Sequence, residues 1–366
     1  MKTQSILTAA LCAFAVLPVG VDAAAIAYTV TALGTLGGSY SFAHAINASG
    51  QVTGQSMTPG DSATHAVRWT GTTPTDLGGG TFSQGVSINT TGQVAGFSNP
   101  TGSGPGHAVR WTGVTPTDFG TLGGSYSFAH AINASGQVSG YADITGNSAK
   151  HAVRWTGTIP TDLGTLGGTF SQGLAINDSG QVAGSANTSN DHTHAVRWTG
   201  ATPTDLGTLG GTNSGGSGIN ASGQVSGYAD ITGNSATHAV RWTGTIPTDL
   251  GTLGGTNSYG YGINTSGDVT GMSDITGNAT RHAFLYTNGT MYDLFTLLVP
   301  GSGVTDLRVS NVGGNINDLG QIAAWGTIGG QLHPLRLDPV AAPEPASAAL
   351  LLGGGALICL RRRRTS

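Results

Sequence analysis

Cysteine, glutamate and lysine are nearly absent from this chain of 366 residues. Its two cysteines, Cys12 and Cys359, lie in apolar segments at the two ends, so disulfides and cysteine-ligated metals cannot hold the long middle together. Glutamate occurs only at Glu344, and lysine only at Lys2 and Lys150. The middle of the chain must therefore be stabilised by packing and backbone pairing.

Charge is also scarce, since charged residues make up 9% of the chain and the formal net charge is −4. Four arginines stand together near the C-terminus: Arg361, Arg362, Arg363 and Arg364. Without the two ends the chain is mildly acidic, and such a body is poorly suited to holding phosphate backbones by charge. We therefore expect no nucleic-acid partner. Hydrophobic residues make up 38% of the chain and recur regularly, which argues against disorder.

The N-terminus has the parts of a secretory signal peptide. Lys2 supplies the positive charge, residues 6–19 form an apolar core, and small residues up to Ala23 and Ala25 offer cleavage sites. We assign residues 1–25 to a signal peptide. The alternative is an uncleaved anchor, for which the apolar run is short.

The middle of the chain is a sevenfold repeat. A histidine recurs 42 to 44 residues apart in six copies, at His65, His107, His151, His194, His238 and His282, with a degenerate seventh copy at His333. An Ile-Asn pair recurs in all seven copies, beginning at Ile46, Ile88, Ile132, Ile176, Ile219, Ile263 and Ile316. Such a period is typical of a stack or ring of identical small units.

Each unit contains four short predicted strands. In the third copy they are expected at residues 128–133, 137–142, 151–156 and 160–163, with turn residues between them. A proline recurs in the fourth strand, which places that strand at an edge because proline cannot donate to a ladder. Four antiparallel strands in a unit of this length predict an all-β fold, a β-propeller.

The two ends of the repeat region complete one unit. Residues 28–33 correspond to a fourth strand, and residues 333–337 correspond to a third strand. We therefore predict that residues 26–340 form seven four-stranded blades, closed by antiparallel pairing of these two segments. The alternative is a β-solenoid, which would need polar caps and would not divide a unit between its ends.

The repeat resembles a known family. Residues 282–286 read His-Ala-Phe-Leu-Tyr, and the segment Leu-Gly-Thr-Leu-Gly-Gly is intact at residues 163–168, 206–211 and 250–255. These segments are similar to the HAF (His-Ala-Phe) extracellular repeat, although valine replaces phenylalanine in five copies. The resemblance covers residues 28–337. It implies an exported repeat protein and no established activity.

The C-terminal residues 341–366 resemble a PEP-CTERM sorting signal. Pro343, Glu344 and Pro345 precede the apolar residues 346–360, and the four arginines follow. The resemblance implies processing near the Pro-Glu-Pro motif by an exosortase, a membrane protease. As a helix the apolar stretch reaches about 22 Å, short of the roughly 30 Å hydrocarbon core, so it is a marginal transmembrane helix. The arginines would stop transfer on the cytoplasmic side. The alternative is a permanent tail anchor.

The repeated titratable residues favour structural roles. Histidines at one position of every unit are better explained by a strand-end hydrogen bond than by catalysis. An aspartate recurs eight residues after an arginine, and a three-residue hairpin loop would place the two side chains opposite each other. We therefore predict five cross-strand ion pairs: Arg68–Asp76, Arg110–Asp118, Arg154–Asp162, Arg197–Asp205 and Arg241–Asp249.

Two local patterns are weak candidates for metal sites. His192 and His194 would face the same side of a strand and could share a metal. Asp143 and Asn147 bound a loop of oxygen-bearing residues that resembles a short calcium turn but lacks the bidentate glutamate of an EF-hand. Ordinary turn chemistry explains these residues as well. We expect no cofactor, with calcium as the alternative.

The sequence contains no nucleophile elbow, phosphate loop or zinc signature, so no catalytic residue is assigned. We expect an exported bacterial repeat protein that passes through the inner membrane to the cell surface or matrix. Its expected partners are the export machinery, an exosortase-like protease and extracellular polysaccharide, and its repeat domain acts as a binding or structural module. The alternative is a secreted propeller enzyme, a lyase or glycosidase. The irregular seventh unit, with its insertion between Leu294 and Asn315, is the candidate region for such an activity.

Overall fold

The structure, a computed structural model, describes residues 26–99 and 104–341, so the predicted signal peptide and sorting tail lie outside the described residues. The described residues form 28 strands, β1–β28 in chain order, and four short 3-10 helices. Within these ranges, no helix is long and apolar enough to cross a membrane.

Most strands alternate with short turns in groups of four, which we call blades. Blade 1 contains β2–β5 at Ser41–Ile46, Val52–Met57, Thr64–Thr70 and Thr73–Asp76. Blade 2 contains β6–β9 at Phe82–Ile88, Val94–Asn99, His107–Thr112 and Thr115–Asp118. Blade 3 contains β10–β13 at Gly123–Ile132, Val138–Ile144, Lys150–Thr156 and Ile159–Asp162. Blade 4 contains β14–β17 at Gly167–Ile176, Val182–Thr188, Thr193–Thr199 and Thr202–Asp205.

The remaining blades follow the same order until the last one. Blade 5 contains β18–β21 at Gly210–Ile219, Val225–Ile231, Thr237–Thr243 and Ile246–Asp249. Blade 6 contains β22–β25 at Gly254–Ile263, Val269–Ile275, Arg281–Thr287 and Thr290–Asp293. Blade 7 contains β26–β28 at Val304–Arg308, Ile322–Ile328 and Gln331–Ala341, together with β1 at Ile26–Ala32. The 3-10 helices are Pro59–Asp61, Thr145–Asn147, Thr232–Asn234 and Leu294–Leu297.

The predicted closure of the ring is confirmed, since blade 7 has the strand order β1-β28-β27-β26. The Leu33 N–H donates to the Pro334 carbonyl at 2.8 Å, and the Thr29 hydroxyl donates to the Asp338 carbonyl at 3.3 Å. One residue number rises as the other falls, so the two strands are antiparallel. The described residues therefore form a seven-bladed β-propeller closed by the N-terminal strand, and the solenoid alternative is wrong.

The four predicted strands of the third unit are all present in blade 3. Its first strand begins at Gly123, five residues earlier than predicted, because the glycine segment is itself extended along the next strand. A Cβ on Gly124 would stand 2.6 Å from the Ile144 carbonyl oxygen, so only glycine permits this approach. The recurring prolines lie on the outermost strands, as predicted.

Tryptophan fills the space between neighbouring blades. Trp155 of blade 3 is fully buried and stacks on Phe119, which follows the last strand of blade 2, with ring centroids 5.5 Å apart. Leucine takes the place of Phe119 at other interfaces, as Leu163 does beneath Trp198. Replacing such a tryptophan by alanine typically costs about 3–5 kcal/mol. The interfaces between blades are thus the hydrophobic core.

The turns place different residues at the two edges of the blades. We call one edge the Asn face, where the first strand turns into the second and the third into the fourth. The opposite edge, the aromatic face, carries the connections between second and third strands and those from one blade to the next. The first strands are innermost, because the isoleucines that end them in blades 1 to 6 line one common cavity together with Ile316 of blade 7.

Candidate functional site

The repeated histidines are hydrogen-bonded to aspartates. In six blades the histidine Nδ1 lies within hydrogen-bond distance of the aspartate at the end of the fourth strand, at 2.7 to 2.9 Å. The pairs are His65–Asp76, His107–Asp118, His151–Asp162, His194–Asp205, His238–Asp249 and His282–Asp293. The expected strand-end hydrogen bond is therefore present in each of these blades.

The predicted arginine–aspartate pairs are wrong in all five copies. Arg154 lies opposite Thr161, and Asp162 lies opposite Val153. The two charged side chains therefore point to opposite sides of the β-sheet. The hairpin loop has two residues and not the predicted three, because Gly157 takes a positive φ of 64° and allows the tighter turn. A register change of one residue reverses the face of every side chain in the strand.

Each of these arginines instead ties its blade to the next one. Arg154 Nη1 donates to the Gly180 carbonyl of blade 4 at 2.9 Å, and the other four arginines make the same bond at 2.7 to 3.0 Å. A second tie runs from the alanine after each histidine, as the Ala152 N–H donates to the Ser171 hydroxyl of blade 4 at 2.8 Å. The Arg and His-Ala motifs are thus parts of the blade interface.

A belt of asparagines lines the Asn face. Asn133 Nδ2 donates to the Asn177 carbonyl of the next blade at 3.1 Å and to Gln137 Oε1 at 2.9 Å. Equivalent bonds between neighbouring blades start from Asn47, Asn89, Asn177, Asn220 and Asn317. In the sixth blade Asn264 Nδ2 donates instead to Asp268 at 3.0 Å. These amides hold the inner strands together, so the Ile-Asn repeat is structural.

Three of the four candidate metal ligands, His192, His194 and Asn147, make hydrogen bonds within the protein. His194 is paired with Asp205, while His192 precedes the strand, and its backbone N–H donates to the Thr188 hydroxyl at 3.2 Å. Asn147 has a positive φ of 56°, and its Oδ1 accepts the Ser125 N–H at 2.9 Å. Among residues 26–99 and 104–341, no group of three His, Cys, Asp or Glu side chains is arranged to hold a metal ion.

The centre of the ring is divided along its axis. On the Asn face, the asparagine belt and the ring of isoleucines surround an open cavity of about 250 Å³. Deeper in the channel a smaller cavity of about 130 Å³ lies among Ile46, Ile132, Ile219 and their counterparts. Gly313 and Gly314 also line this smaller cavity.

These two glycines belong to a segment, residues 309–315, that we call the plug. A Cβ on Gly313 would stand 2.6 Å from the Ser217 carbonyl oxygen of blade 5, although blade 6 lies between blades 5 and 7 in the ring. The Gly314 carbonyl accepts the Ile46 N–H of blade 1 at 2.9 Å. The plug therefore extends from blade 7 to the centre of the ring. The irregular seventh unit, singled out in the sequence, supplies this obstruction.

On the aromatic face, the plug forms one wall of a pocket of about 380 Å³. We call it the plug pocket, and its lining includes Phe42, Tyr261, Arg281, Arg308, Asn311 and Trp325. Phe42 and Trp325 meet edge to face with ring centroids 5.1 Å apart. The volume is within the roughly 300–1,000 Å³ of small-molecule sites. No carboxylate belongs to its lining among the described residues, so the acid pair of a glycosidase is not gathered there.

Both arginines of the plug pocket are oriented by an aspartate behind them. Arg281 Nε donates to Asp274 at 3.0 Å, and Arg308 Nε donates to Asp306 at 3.1 Å. Burial pushes the pKa of Asp274 upward, but hydrogen bonds from Arg281 and Asn257 outweigh burial and leave that pKa below its usual value. In the described part of the chain, the Nη atoms of both arginines have no hydrogen-bond partner.

His44 gives the plug pocket a neutral wall. Its Nδ1 lies 3.0 Å from the Gly85 carbonyl oxygen of blade 2, and only 7% of the residue is exposed. Burial lowers the pKa of His44 to about 4, although the bond to Gly85 acts in the opposite direction. The ring is therefore uncharged at neutral pH.

A second aromatic group lies on blade 3. Phe128 stacks on Tyr141 with centroids 6.0 Å apart, and Phe97 of blade 2 stacks on Phe128 at 5.4 Å. The Lys150 ammonium lies over the rings of Tyr126 and Tyr141, at 5.3 and 5.4 Å from their centroids. We call Tyr126, Phe128, Tyr141 and Lys150 the blade-3 cluster. It combines half-buried rings with a cation on the aromatic face.

Neither the plug pocket nor the blade-3 cluster was predicted from the sequence. A signal was present, because the repeat position of Tyr141 holds Gln55, Phe97, Ser185, Tyr228, Met272 and Trp325 in the other blades. This variation from blade to blade points to a binding surface only once the structure places the position on the aromatic face.

The sequence of this chain matches no protein-family model, and no curated protein matches it. Similar solved structures include an arginine-substituted mutant of AofleA from Arthrobotrys oligospora, with 10% identity, a TM-score of 0.39 and coverage of 73% of this chain and 88% of that one. Aleuria aurantia lectin, a six-bladed β-propeller with a described mode of fucose recognition, has 11% identity, a TM-score of 0.35 and coverage of 73% and 95%. A mutant of that lectin in complex with α-methyl-L-fucoside has 13% identity, a TM-score of 0.35 and coverage of 72% and 95%.

Proposed function

We propose that this protein is an exported bacterial binding module that engages extracellular polysaccharide through its aromatic face. The observation that carries the proposal is the concentration of half-buried aromatic side chains on that face. These are Tyr40, Phe42, Tyr126, Phe128, Tyr141, Phe170, Tyr228, Tyr259, Tyr261 and Trp325. The Asn face, in contrast, is lined by amides that bond to one another.

The aromatic residues are not required by the fold of a blade. Blade 4 has Gln172 and Ser185 where blade 3 has Phe128 and Tyr141, and it forms the same strands with the same register. Glutamine and serine fit at these positions without changing the blade. The aromatic side chains of blade 3 are therefore not needed for the hydrophobic core and are available for binding at the surface. Flat rings with one exposed side suit the apolar faces of sugar rings, and their hydrogen-bonding edges suit the hydroxyls.

The repeated polar groups support binding over catalysis. The His–Asp pairs, the interblade arginines and the asparagine belt make the same bonds in blade after blade, so they have a structural task in each. A secreted lyase or glycosidase is the competing function. It would require catalytic groups in one blade, and the irregular blade 7 contributes arginine, amide and tryptophan to the plug pocket.

The exported protein should be applied to a glycan array, with the Tyr141→Ala variant beside it. We expect binding of at least one polysaccharide class and weaker binding by the variant. Ile159→Ala is the matched control, because Ile159 is a large exposed residue of the same blade on the Asn face, 72% exposed. Absence of glycan binding would contradict the proposal. Shortened glycans, detected by mass spectrometry of the array eluate, would favour the enzyme.

We further propose that the signal peptide exports the chain and that an exosortase-type protease processes it near Pro343, Glu344 and Pro345. The order of this motif, the apolar residues 346–360 and the arginine cluster supports this route. The mature protein would then reside at the cell surface or in the matrix.

A further inference from the structure

We propose that the plug pocket binds an acidic saccharide, with the carboxylate of a uronic acid on Arg281 and Arg308. This inference rests on the proposed polysaccharide binding and assigns it a site and a ligand class. Its physical basis is the unused hydrogen-bonding capacity of two oriented guanidinium groups in a pocket with aromatic walls.

The two arginines are prepared for a planar anion. Each is held through Nε by an aspartate, at 3.0 Å for Arg281 and 3.1 Å for Arg308, so the free edge of each guanidinium is the one that carries Nη1 and Nη2. Arg281 is fixed further by the Tyr259 ring, whose centroid lies 4.9 Å from its guanidinium carbon. Two parallel N–H groups in one plane match the two oxygens of a carboxylate.

The rest of the lining suits a sugar that carries such a group. Phe42 and Trp325 are half-buried aromatic walls, and Asn311 and Ser310 of the plug supply polar groups for hydroxyls. Asp274 and Asp306 stand behind the arginines and do not belong to the lining, so a bound carboxylate meets donors first. His44 is neutral and adds no charge of its own.

The plug pocket is built at the irregular blade 7. Blade 7 supplies Arg308 at the end of β26, and the plug that follows supplies Ser310 and Asn311; the other blades have no such insertion between their first two strands. Arg281 begins the third strand of blade 6, where blades 1, 4 and 5 have Thr64, Thr193 and Thr237 and blade 3 has Lys150. Neither cation is thus required by the common pattern of the blades.

The fluorescence of Trp325 measures binding directly. The five other tryptophans are fully buried between blades, whereas Trp325 is half-buried and lines the pocket. The exported full-length protein is titrated with an oligogalacturonate and, separately, with its methyl ester, which has the same sugar units without the negative charge. We expect a fluorescence change that saturates with the acid, and at least about tenfold weaker binding of the ester, because a hydrogen bond to a charged group contributes about that factor.

Two variants assign the binding to the pocket. Arg308→Gln removes one guanidinium, and Asn311→Asp places a negative charge beside the ligand at an exposed residue with no hydrogen bond to other described residues. Both should weaken binding of the acid about tenfold or more. Arg336→Gln is the control, because Arg336 Nε pairs with Asp338 at 3.0 Å in the same way but does not line the pocket.

The outcomes separate this inference from the proposed function. Equal binding of acid and ester, or binding of the acid that Arg308→Gln and Asn311→Asp leave unchanged, would overturn the inference and leave polysaccharide binding in place. Binding of only neutral glycans on the array would likewise overturn the inference and leave polysaccharide binding in place. Absence of binding to every glycan would overturn both.

Discussion

The hydroxyl of Tyr28 donates a hydrogen bond to the carbonyl oxygen of Gly320 at 3.2 Å. In five other blades the carbonyl at this turn is bonded by an arginine of the preceding blade, but blade 6 has Leu285 at that position. The N-terminal strand thus supplies the missing donor where the ring closes. Burial, and then the negative charge of Asp268, raise the pKa of Tyr28, so the hydroxyl remains a donor at neutral pH.

Tyr28→Phe should therefore lower the free energy of unfolding by about 1 kcal/mol, the usual contribution of a hydrogen bond. Urea denaturation of the exported protein measures the change. Tyr292→Phe is the control, because Tyr292 is 41% exposed and its loss should leave the unfolding midpoint unchanged. Equal midpoints for all three proteins would show that the bond does not stabilise the closure.

The corrected pairing of charges can be tested by double-mutant cycles in blade 3. His151 and Asp162 should show a coupling free energy of about 0.5–1 kcal/mol, as for a partly exposed pair. Arg154 and Asp162 should show a coupling free energy of no more than about 0.3 kcal/mol, because their side chains lie on opposite sides of the β-sheet. Unfolding free energies of the single and double alanine variants provide both values. A larger coupling for Arg154 would restore the pairing expected from the sequence.

The sequence predicted the fold well because the propeller depends on features that repeat. The strands of each unit, the edge prolines and the division of one unit between residues 28–33 and 333–337 are all visible in one chain. The hairpin register was missed because the loop is one residue shorter than assumed. A shift of one residue in the register moves every side chain of the strand to the other side of the β-sheet.

The plug was missed for a different reason. Its glycines, Gly313 and Gly314, have no side-chain pattern, and their position follows from contacts with Ser217 and Ile46 that are distant in sequence. The site also depends on departures from the repeat, such as Arg281 and Trp325. A repeat pattern predicts the frame and by its nature says little about the residues that deviate from it.

Stability should depend on pH through His130. Its ring nitrogens are buried without a hydrogen-bond partner among the described residues, and burial lowers its pKa to about 4. The unfolded chain, with a histidine pKa of about 6.5, binds more protons between these values. The contribution of neutral, buried His130 to the free energy of unfolding is therefore fully present above about pH 6.5 and is lost as the pH falls towards 4. At pH 4.5 the free energy of unfolding is lower by about 2 to 3 kcal/mol.

His130→Leu should reduce the difference in unfolding free energy between pH 7 and pH 4.5 by this amount. Leucine is a suitable replacement because Leu174 occupies the equivalent position of blade 4. Ile159→Ala, at an exposed residue of the same blade, is the control and should not change the pH dependence. Parallel pH profiles for the wild type and His130→Leu would contradict the assignment.

The sorting proposal predicts the C-terminus of the mature protein. Mass spectrometry of the protein from its native host should find a product that ends near Pro343, Glu344 and Pro345. Replacing the four C-terminal arginines by neutral residues should disturb retention and processing, because the cluster stops transfer across the membrane. The β-propeller should remain folded in that variant. A mature product that still contains residues 346–366 would show a permanent anchor.

Hydrogen exchange of the full-length exported protein tests the central claim most directly, namely that ligands bind at the aromatic face. Exchange is measured with and without the polysaccharide that gives the strongest array signal. We predict slower exchange in residues 141–150, 272–281 and 308–312, which carry parts of the blade-3 cluster and of the plug pocket. We predict no change in the asparagine turns at residues 133–137 and 177–181. Protection confined to those turns would contradict the account.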